Sequence, residues 1–93
     1  MDIIHNEKEH KFFIHIGGEE CSLIYSELSI KLWNFESTIV PEKIKERKIV
    51  ESVIEYAIAF VKDHNIKILA SCEEVQDFLF RHKDLKDLVY HPY

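Results

Sequence analysis

The chain has 93 residues, of which 46% are apolar and 31% charged, and its net charge is −5. This length suits one domain, and the balance of apolar and charged residues is that of a globular protein with one core. The negative charge argues against a general nucleic-acid binder, which needs a basic face. No apolar run approaches the ~20 residues of a membrane span.

The cysteines and histidines give no sign of a metal site. Two cysteines, Cys21 and Cys72, are too few for a disulfide framework, and we expect free thiols in a reducing compartment. The six histidines, at positions 5, 10, 15, 64, 82 and 91, lack the spacing of zinc ligands. The N-terminal segment is too polar for a signal peptide, so we expect a cytoplasmic protein without a metal cofactor.

Three strands are predicted in the first half of the chain. KFFIHI (residues 11–16) and CSLIYS (21–26) favour strands, and the two glycines between them predict a hairpin. A third strand is predicted over residues 29–40, where apolar side chains alternate with polar ones. The apolar positions change face midway along this segment, which indicates a β-bulge or a strand exposed on both faces.

Two helices and a further strand are predicted after Pro41. Apolar residues recur at helical spacing over residues 49–61, and IKILA (66–70) has the composition of a short buried strand. SCEEVQDFLFRH (71–82) is a second helix, for which Ser71 and Glu74 predict a capping box. The order β-β-β-α-β-α predicts an α+β fold, in which a mixed sheet contains one parallel strand pair and carries both helices.

The basic segment ahead of the first helix is a candidate anion-binding turn. Ile44 lies about 120° around a helix from Val50, on its polar side, so a turn fits better than one helix over residues 41–61. The sequence KERK (45–48) then stands at the helix N-terminus, where unpaired N–H groups favour anions. The alternative is a solvent-exposed run of charges.

Several short motifs follow one another in a recognisable order. Thr38-Ile39-Val40-Pro41 closes the third strand, Cys72 follows the fourth, Arg81-His82 closes the second helix, and Asp87-Leu88-Val89 follows. This order resembles the smallest members of the GNAT superfamily of N-acetyltransferases, which have similar residues in these places. The resemblance covers residues 11–90 and implies a single GNAT-like domain over residues 1–93.

The resemblance implies that acetyl-CoA donates an acetyl group to an unknown amine acceptor. The coenzyme contacts that it implies are Thr38, Ile39, Val40, Lys45, Glu46, Arg47, Lys48 and Ile49. The family's phosphate-binding turn has glycines where this chain has Glu46 and Lys48. Glycine lets a backbone approach pyrophosphate closely, so the side chains here imply a weakened phosphate loop that relies on cationic side chains.

Cys72 and His82 are the candidate catalytic residues. The resemblance implies that Cys72 lies near the coenzyme thiol, as a general acid or an acyl acceptor. The helix dipole at its position favours a thiolate, whereas Glu73 and Glu74 oppose one. His82 is a candidate base, and the alternative for it is a cation at the end of the second helix. The alternative for Cys72 is a small buried side chain at a strand–helix junction.

Two functions remain open at this point. The first is an N-acetyltransferase, and the net charge of −5 slightly favours a cationic amine as its acceptor. The second is a catalytically inactive member of the same fold that binds a partner or a ligand. Neither involves nucleic acid or a membrane, and a homodimer is one way in which so short a chain gains stability.

Overall fold

A computed structural model describes residues 2–44 and 46–91, and within these ranges it has one five-stranded sheet, two α-helices and a 3-10 helix. The strands lie in the sheet in chain order, as β1 (Ile4–Asn6), β2 (Lys11–Ile16), β3 (Glu19–Ser29), β4 (Leu32–Ile39) and β5 (Lys67–Ala70). Strands β1 to β4 are antiparallel, and β5 is parallel to β4.

The helices follow β4 and β5. Helix α1 (Arg47–Asp63) connects β4 to β5, helix α2 (Glu73–Arg81) follows β5, and the 3-10 helix spans Lys83–Leu88. This arrangement confirms the predicted α+β fold and adds the strand β1, which the sequence analysis did not identify. Within the described ranges no helix has the length and apolarity needed to cross a membrane.

The hairpin between β2 and β3 confirms the prediction made from its two glycines. Ile16 pairs with Glu19, so Gly17 and Gly18 form a two-residue loop, with φ values of 56° and 81°. Such loops require positive φ at both positions, and glycine adopts it without strain.

The predicted third strand begins too early. The turn between β3 and β4 lies at Ile30 and Lys31, so β3 extends to Ser29 and β4 starts at Leu32. This turn contains no glycine, proline or asparagine that would have marked it, and Ile30 is 88% exposed. The predicted bulge is confirmed, because the pairing of β4 with β3 steps over Glu36.

The core lies between the sheet and the helices. Tyr25 and Trp33 stack at its centre, with ring centroids 4.2 Å apart and an interplanar angle of 4°. Helix α1 contributes an apolar stripe of buried residues, namely Val50, Val53, Ile54, Ala57, Ile58 and Val61. Because these positions recur every three or four residues, one face of α1 covers the sheet while its other face remains in solvent.

The segment before α1 is a turn, as predicted. The N–H of Ile44 donates to the carbonyl of Pro41 over 2.9 Å, and the Ile44 side chain is buried. Helix α1 begins at Arg47, after the extended residue Glu46. Lys45 lies outside the described residues.

The predicted capping box at α2 is wrong. The residue that caps α2 is Cys72, and it makes no side-chain capping hydrogen bond. The Ser71 hydroxyl instead donates to Asn34 Oδ1 on β4 over 3.3 Å and accepts from Asn34 Nδ2 over 3.1 Å. The Asn34 amide therefore binds the Ser71 hydroxyl, which the sequence pattern predicts as the cap of α2.

Candidate functional site

The parallel strands β4 and β5 separate after a short paired stretch, and this separation creates the candidate site. They pair from Leu32 to Phe35 on β4, whereas β4 continues to Ile39 and pairs there with β3 alone. The Phe35 carbonyl accepts the N–H groups of both Ser71 (3.0 Å) and Cys72 (3.2 Å). These bonds turn the chain away from β4, so the backbones of β4 and α2 separate there, and we call this separation the opening.

Cys72 lies at the inner edge of this opening. Its side chain is 4% exposed, and its Sγ is 3.6 Å from Thr38 Oγ1 and 3.5 Å from Glu74 Oε1. The bulge at Glu36 shifts the alternation of β4, which brings the Thr38 hydroxyl towards Cys72. A thiol that rotates between a hydroxyl and a carboxylate can donate a hydrogen bond to either of them.

The N-terminus of α1 lies at the outer end of the opening. Glu46 caps the helix without a side-chain hydrogen bond, and the first turn has no acidic residue. Residues 46–48 are exposed there, and a hollow of about 250 Å³ lies beside them. Val40 and Ile44 line the same hollow, which therefore extends from the end of β4 to the start of α1.

Ion pairs connect α1 to α2 beside this hollow. The Arg47 guanidinium binds Asp77 on α2 and lies 3.8 Å from Glu51 Oε1. Arg81 on α2 contacts the same two carboxylates, at 2.7 Å from Glu51 and 3.2 Å from Asp77. Hydrogen bonding to Glu51 is the main reason that the pKa of Arg81 is raised, and both arginines share both acids.

The predicted coenzyme contacts lie around one continuous surface. Thr38 and Ile39 end β4 and Val40 follows it, and Ile39 and Val40 are 52% and 37% exposed. Glu46, Arg47, Lys48 and Ile49 form the cap and first turn of α1. The structure thus brings these two predicted groups to neighbouring positions, and the roles of their side chains remain predictions.

The two predicted catalytic residues are not brought together. Cys72 precedes α2 and His82 follows it, so a rise of ~1.5 Å per residue separates them by about 15 Å. His82 Nδ1 donates to the Phe78 carbonyl over 2.8 Å, and its ring stacks on Phe78 at 4.1 Å. His82 therefore closes the helix and has no direct contact with Cys72.

Glu74 and Asp77 lie at the candidate site, and the sequence analysis assigned neither of them to it. Glu74 was expected to complete the capping box, but its carboxylate lies beside the Cys72 thiol. Asp77 is one of several acids in α2, and only the packing of α2 against α1 reveals its contact with Arg47. The i, i+4 spacings of Arg47 with Glu51 and of Asp77 with Arg81 were the available signals for this cluster.

No group of three or more metal-ligating side chains is found in residues 2–44 or 46–91. What these residues do assemble is a thiol, a hydroxyl and a carboxylate at the inner edge of the opening and a helix N-terminus at its outer end.

A mixed sheet whose parallel strands separate beside a helix N-terminus is consistent with a small GNAT-like fold. The family model described as GCN5-related N-acetyl-transferase matches residues 11–88, so the chain belongs to that family. It is also similar to Protein NATD1 of Danio rerio, with 27% identity over 81 residues, which are 85% of this chain and 74% of that protein.

These findings confirm the resemblance that the sequence motifs indicate. The match of residues 11–88 almost coincides with residues 11–90, over which the motifs occur. Members of this family generally use acetyl-CoA, so an acyl-CoA donor and an amine acceptor are the ligands that membership implies in general.

Proposed function

We propose that this protein is an N-acetyltransferase that binds acetyl-CoA in the opening between β4 and α2 and acetylates an amine. The observation that carries the proposal is the separation of the β4 and β5 backbones after Phe35, where the Cys72 thiol contacts the Thr38 hydroxyl. The hollow beside the end of β4 is lined by Val40, by Glu74 of α2 and by Arg47 at the N-terminus of α1. The catalytically inactive alternative predicts the same fold without acetyl-CoA binding.

The described residues around the opening fit the coenzyme in two respects. The first-turn N–H groups of α1 have no capping side chain to occupy them, and Arg47 and Lys48 add positive charge. The apolar side chains of Val40 and Ile44 line the path from this helix to the end of β4. Phosphates would bind at the first position, and the less polar arm would pass along the second.

The residues at the inner edge suit a proton transfer that accompanies acyl transfer. When bound, acetyl-CoA supplies an activated acetyl group, whose carbon–sulfur bond breaks as a carbon–nitrogen bond forms. The amine must lose a proton, which the Glu74 carboxylate accepts, and the departing sulfur gains one from the Cys72 thiol. Glu74 then returns its proton to Cys72 across the 3.5 Å contact, which restores both groups.

Arg47 is not free to bind phosphate in the structure, because it is paired with Asp77. A coenzyme phosphate must therefore compete with this carboxylate for the same guanidinium. Arg81 makes the exchange feasible, since it also contacts Asp77 and keeps that acid paired when Arg47 turns away. We infer that Asp77 lowers the affinity for acetyl-CoA, in addition to the effect of the missing glycines.

The experiment is calorimetric titration of acetyl-CoA into the native protein and two single variants. Asp77→Asn frees Arg47 and should tighten binding about twofold to fivefold, the range expected for an exposed ion pair. Lys48→Glu should weaken binding by at least about fivefold, because it reverses a charge in the first turn of α1. Lys8→Glu is the matched control, since it changes the net charge equally in the turn between β1 and β2, at the other end of the sheet.

The same titration in the Arg47→Gln variant tests whether Asp77 acts by competing with phosphate for the Arg47 guanidinium. Without the guanidinium, Asp77→Asn should no longer improve binding, because there is no ion pair left to break. An equal gain in both backgrounds would show that Asp77 acts only through its general negative charge. If no variant binds acetyl-CoA at millimolar concentration while all remain folded, the proposed enzyme is wrong and the inactive alternative holds.

A further inference from the structure

The 3-10 helix consists of a tandem triplet, Lys-Asp-Leu-Lys-Asp-Leu, whose period equals that of the helix. A 3-10 helix has three residues per turn, so residues three apart lie above one another. Lys83 and Lys86 line one groove, whereas Asp84 and Asp87 line a separate hollow together with both leucines. The repeat thus places the two lysines and the two aspartates on different sides of the 3-10 helix.

The groove on the lysine side has an apolar floor and apolar walls. Leu69 and Ala70 of β5 form its floor, and Leu79 and Phe80 of α2 form one wall. Val89 lies on the other wall, where the chain returns alongside β5. The volume of the groove is about 590 Å³, which is within the range of sites for small organic ligands.

Two backbone carbonyls of β5 at this groove already have donors. The Ala70 carbonyl accepts from Gln76 Nε2 over 2.8 Å, and the Ile68 carbonyl accepts from the N–H of Tyr90 over 2.8 Å. An apolar ligand would therefore cover the floor without depriving these carbonyls of their donors.

Phe80 is the most exposed part of the wall. Its side chain is 73% exposed, and the Lys83 ammonium lies 5.3 Å from the centre of its ring. An aromatic ring that faces solvent beside a cation presents an apolar surface and a positive charge together. Lys86 follows one turn later, about 6 Å further along the helix axis.

The groove is distinct from the candidate acetyl-CoA site. The groove shares no lining residue with the hollow beside α1, and its α2 residues Leu79 and Phe80 lie about 160° and about 60° around the helix from Asp77. One side of α2 therefore borders the ion pairs, and the other side borders the groove.

We propose that this groove is a second binding site, for a medium-chain alkyl carboxylate. The carboxylate lies between Lys83 and Lys86, and the alkyl chain covers Leu69, Leu79 and Phe80. Charge decides the class of ligand, since Lys83 and Lys86 both line this groove although the chain as a whole carries −5. A cationic or neutral amphiphile would gain the apolar contact but not this attraction.

The test uses sodium octanoate, decanoate and dodecanoate as probes, each below its micelle concentration. Titration followed by amide NMR of the labelled protein should show saturable changes at residues 69–70, 76, 79–80 and 89. Affinity should rise about twofold to fourfold for each added CH₂, because each buries further apolar area. Decyltrimethylammonium, with the same chain length as decanoate and the opposite charge, should bind at least about tenfold more weakly.

Two sets of substitutions at exposed residues test where the ligand binds, and both should leave the fold intact. Lys83→Glu with Lys86→Glu should weaken decanoate binding by at least about tenfold, and Phe80→Ser by about threefold to tenfold. Lys8→Glu with Lys62→Glu makes the same change in net charge outside the groove and should leave the affinity within about twofold.

Any one of the following results would overturn the proposal. Equal binding of decanoate and decyltrimethylammonium would make the groove a nonspecific apolar surface. Amide changes confined to other residues, or an unchanged affinity in the double lysine variant, would place the carboxylate elsewhere. Absence of saturation by all three carboxylates would show that the groove binds no such ligand. None of these results bears on the titration with acetyl-CoA.

Discussion

Single side chains at the opening determine what chemistry it can perform. Cys72 borders the opening between Thr38 and Glu74, whereas Cys21 lies in the core at 1% exposure, where burial raises the pKa of its thiol. Two cysteines that are both buried thus differ in what lies beside them. One faces a proton acceptor, and the other is surrounded by apolar side chains.

This difference should appear in thiol labelling. In the native protein, Cys72 should react with a disulfide reagent faster than Cys21, since a small opening of α2 exposes it while Cys21 requires unfolding of the sheet. The rates are measured separately in Cys21→Ser and Cys72→Ser. Acetyl-CoA should slow the labelling of Cys72 alone. Equal rates for the two thiols would contradict the placement of Cys72 at an opening.

Glu20 is the carboxylate with the most strongly displaced pKa. The Lys11 ammonium at 2.8 Å, assisted by the Ser22 hydroxyl at 2.5 Å, lowers the pKa of Glu20 from 4.5 to about 2. Because the folded pKa lies below the unfolded one, the stabilisation is complete above pH 4.5 and is lost as the pH falls towards 2. The side chain is 33% exposed, so solvent screening reduces its contribution.

Glu20→Gln should therefore lower the free energy of unfolding by about 1–2 kcal/mol at pH 7. Between pH 5 and 2 the variant should lose less stability than the native protein, because it lacks the carboxylate that must be protonated. Urea unfolding across this range measures both effects, and Glu55→Gln on the exposed face of α1 is the control. Parallel pH profiles for native protein and Glu20→Gln would contradict this account.

At the scale of elements, the N-terminal strand β1 pairs with β2 and is tied to the core by one histidine. His5 Nε2 lies 2.5 Å from the Tyr25 hydroxyl, and the ring stacks on Phe12 at 4.1 Å and meets Phe60 edge-on at 4.6 Å. Burial lowers the pKa of His5, so this contact favours the neutral ring. Stability from His5 is then present above pH 6.5 and decreases as the pH falls below it.

His5→Ala should destabilise the fold by about 1–3 kcal/mol, because it removes the stacked ring and leaves the hydroxyl of the buried Tyr25 without its partner. Ile4→Ala, on a side chain that is 50% exposed, should cost less than about 1 kcal/mol. Thermal unfolding of both variants at pH 7.5 and 5.5 measures the difference. The cost of His5→Ala should shrink at the lower pH, and a cost independent of pH would contradict the role of the neutral ring.

The elements differ in how well the sequence predicts them, and the reasons are physical. The β2–β3 hairpin and α1 were predicted because glycine in a two-residue loop and an apolar stripe of period 3.6 are local signals. Strand β1 was missed, since three residues carry no periodicity and only pairing with β2 makes them a strand. The 3-10 helix was also missed, although its triplet repeat was a visible signal.

The candidate site was predictable only in part for a related reason. The motifs placed Thr38, Val40 and Cys72 correctly at or just beyond the ends of strands, because Pro41 and the start of the second helix are local signals. The contact of Cys72 with Glu74 and that of Arg47 with Asp77 depend on how α2 packs, which no local pattern specifies. For the same reason, the sequence could not show that Cys72 and His82 lie at opposite ends of one helix.

At the scale of the whole molecule, the sheet separates two surfaces with different chemistry. The opening at the end of β4 combines a helix N-terminus with paired charges, and the groove beyond β5 combines apolar walls with two lysines. Helix α2 lies between them and contributes to both. A chain of 93 residues thus presents two candidate sites on one core, and α2 contributes to each of them.

Amide NMR of the labelled protein, titrated with acetyl-CoA, tests the central claim most directly. The account predicts saturable changes at Thr38–Val40, at Arg47–Ile49 and at Cys72, with the resonances of β1 unchanged, because β1 lies at the far edge of the sheet. Free CoA should reproduce the changes at Arg47–Ile49, since both ligands carry the same phosphates. Unchanged resonances at Thr38 and Cys72 with millimolar acetyl-CoA, in a protein that remains folded, would contradict the account.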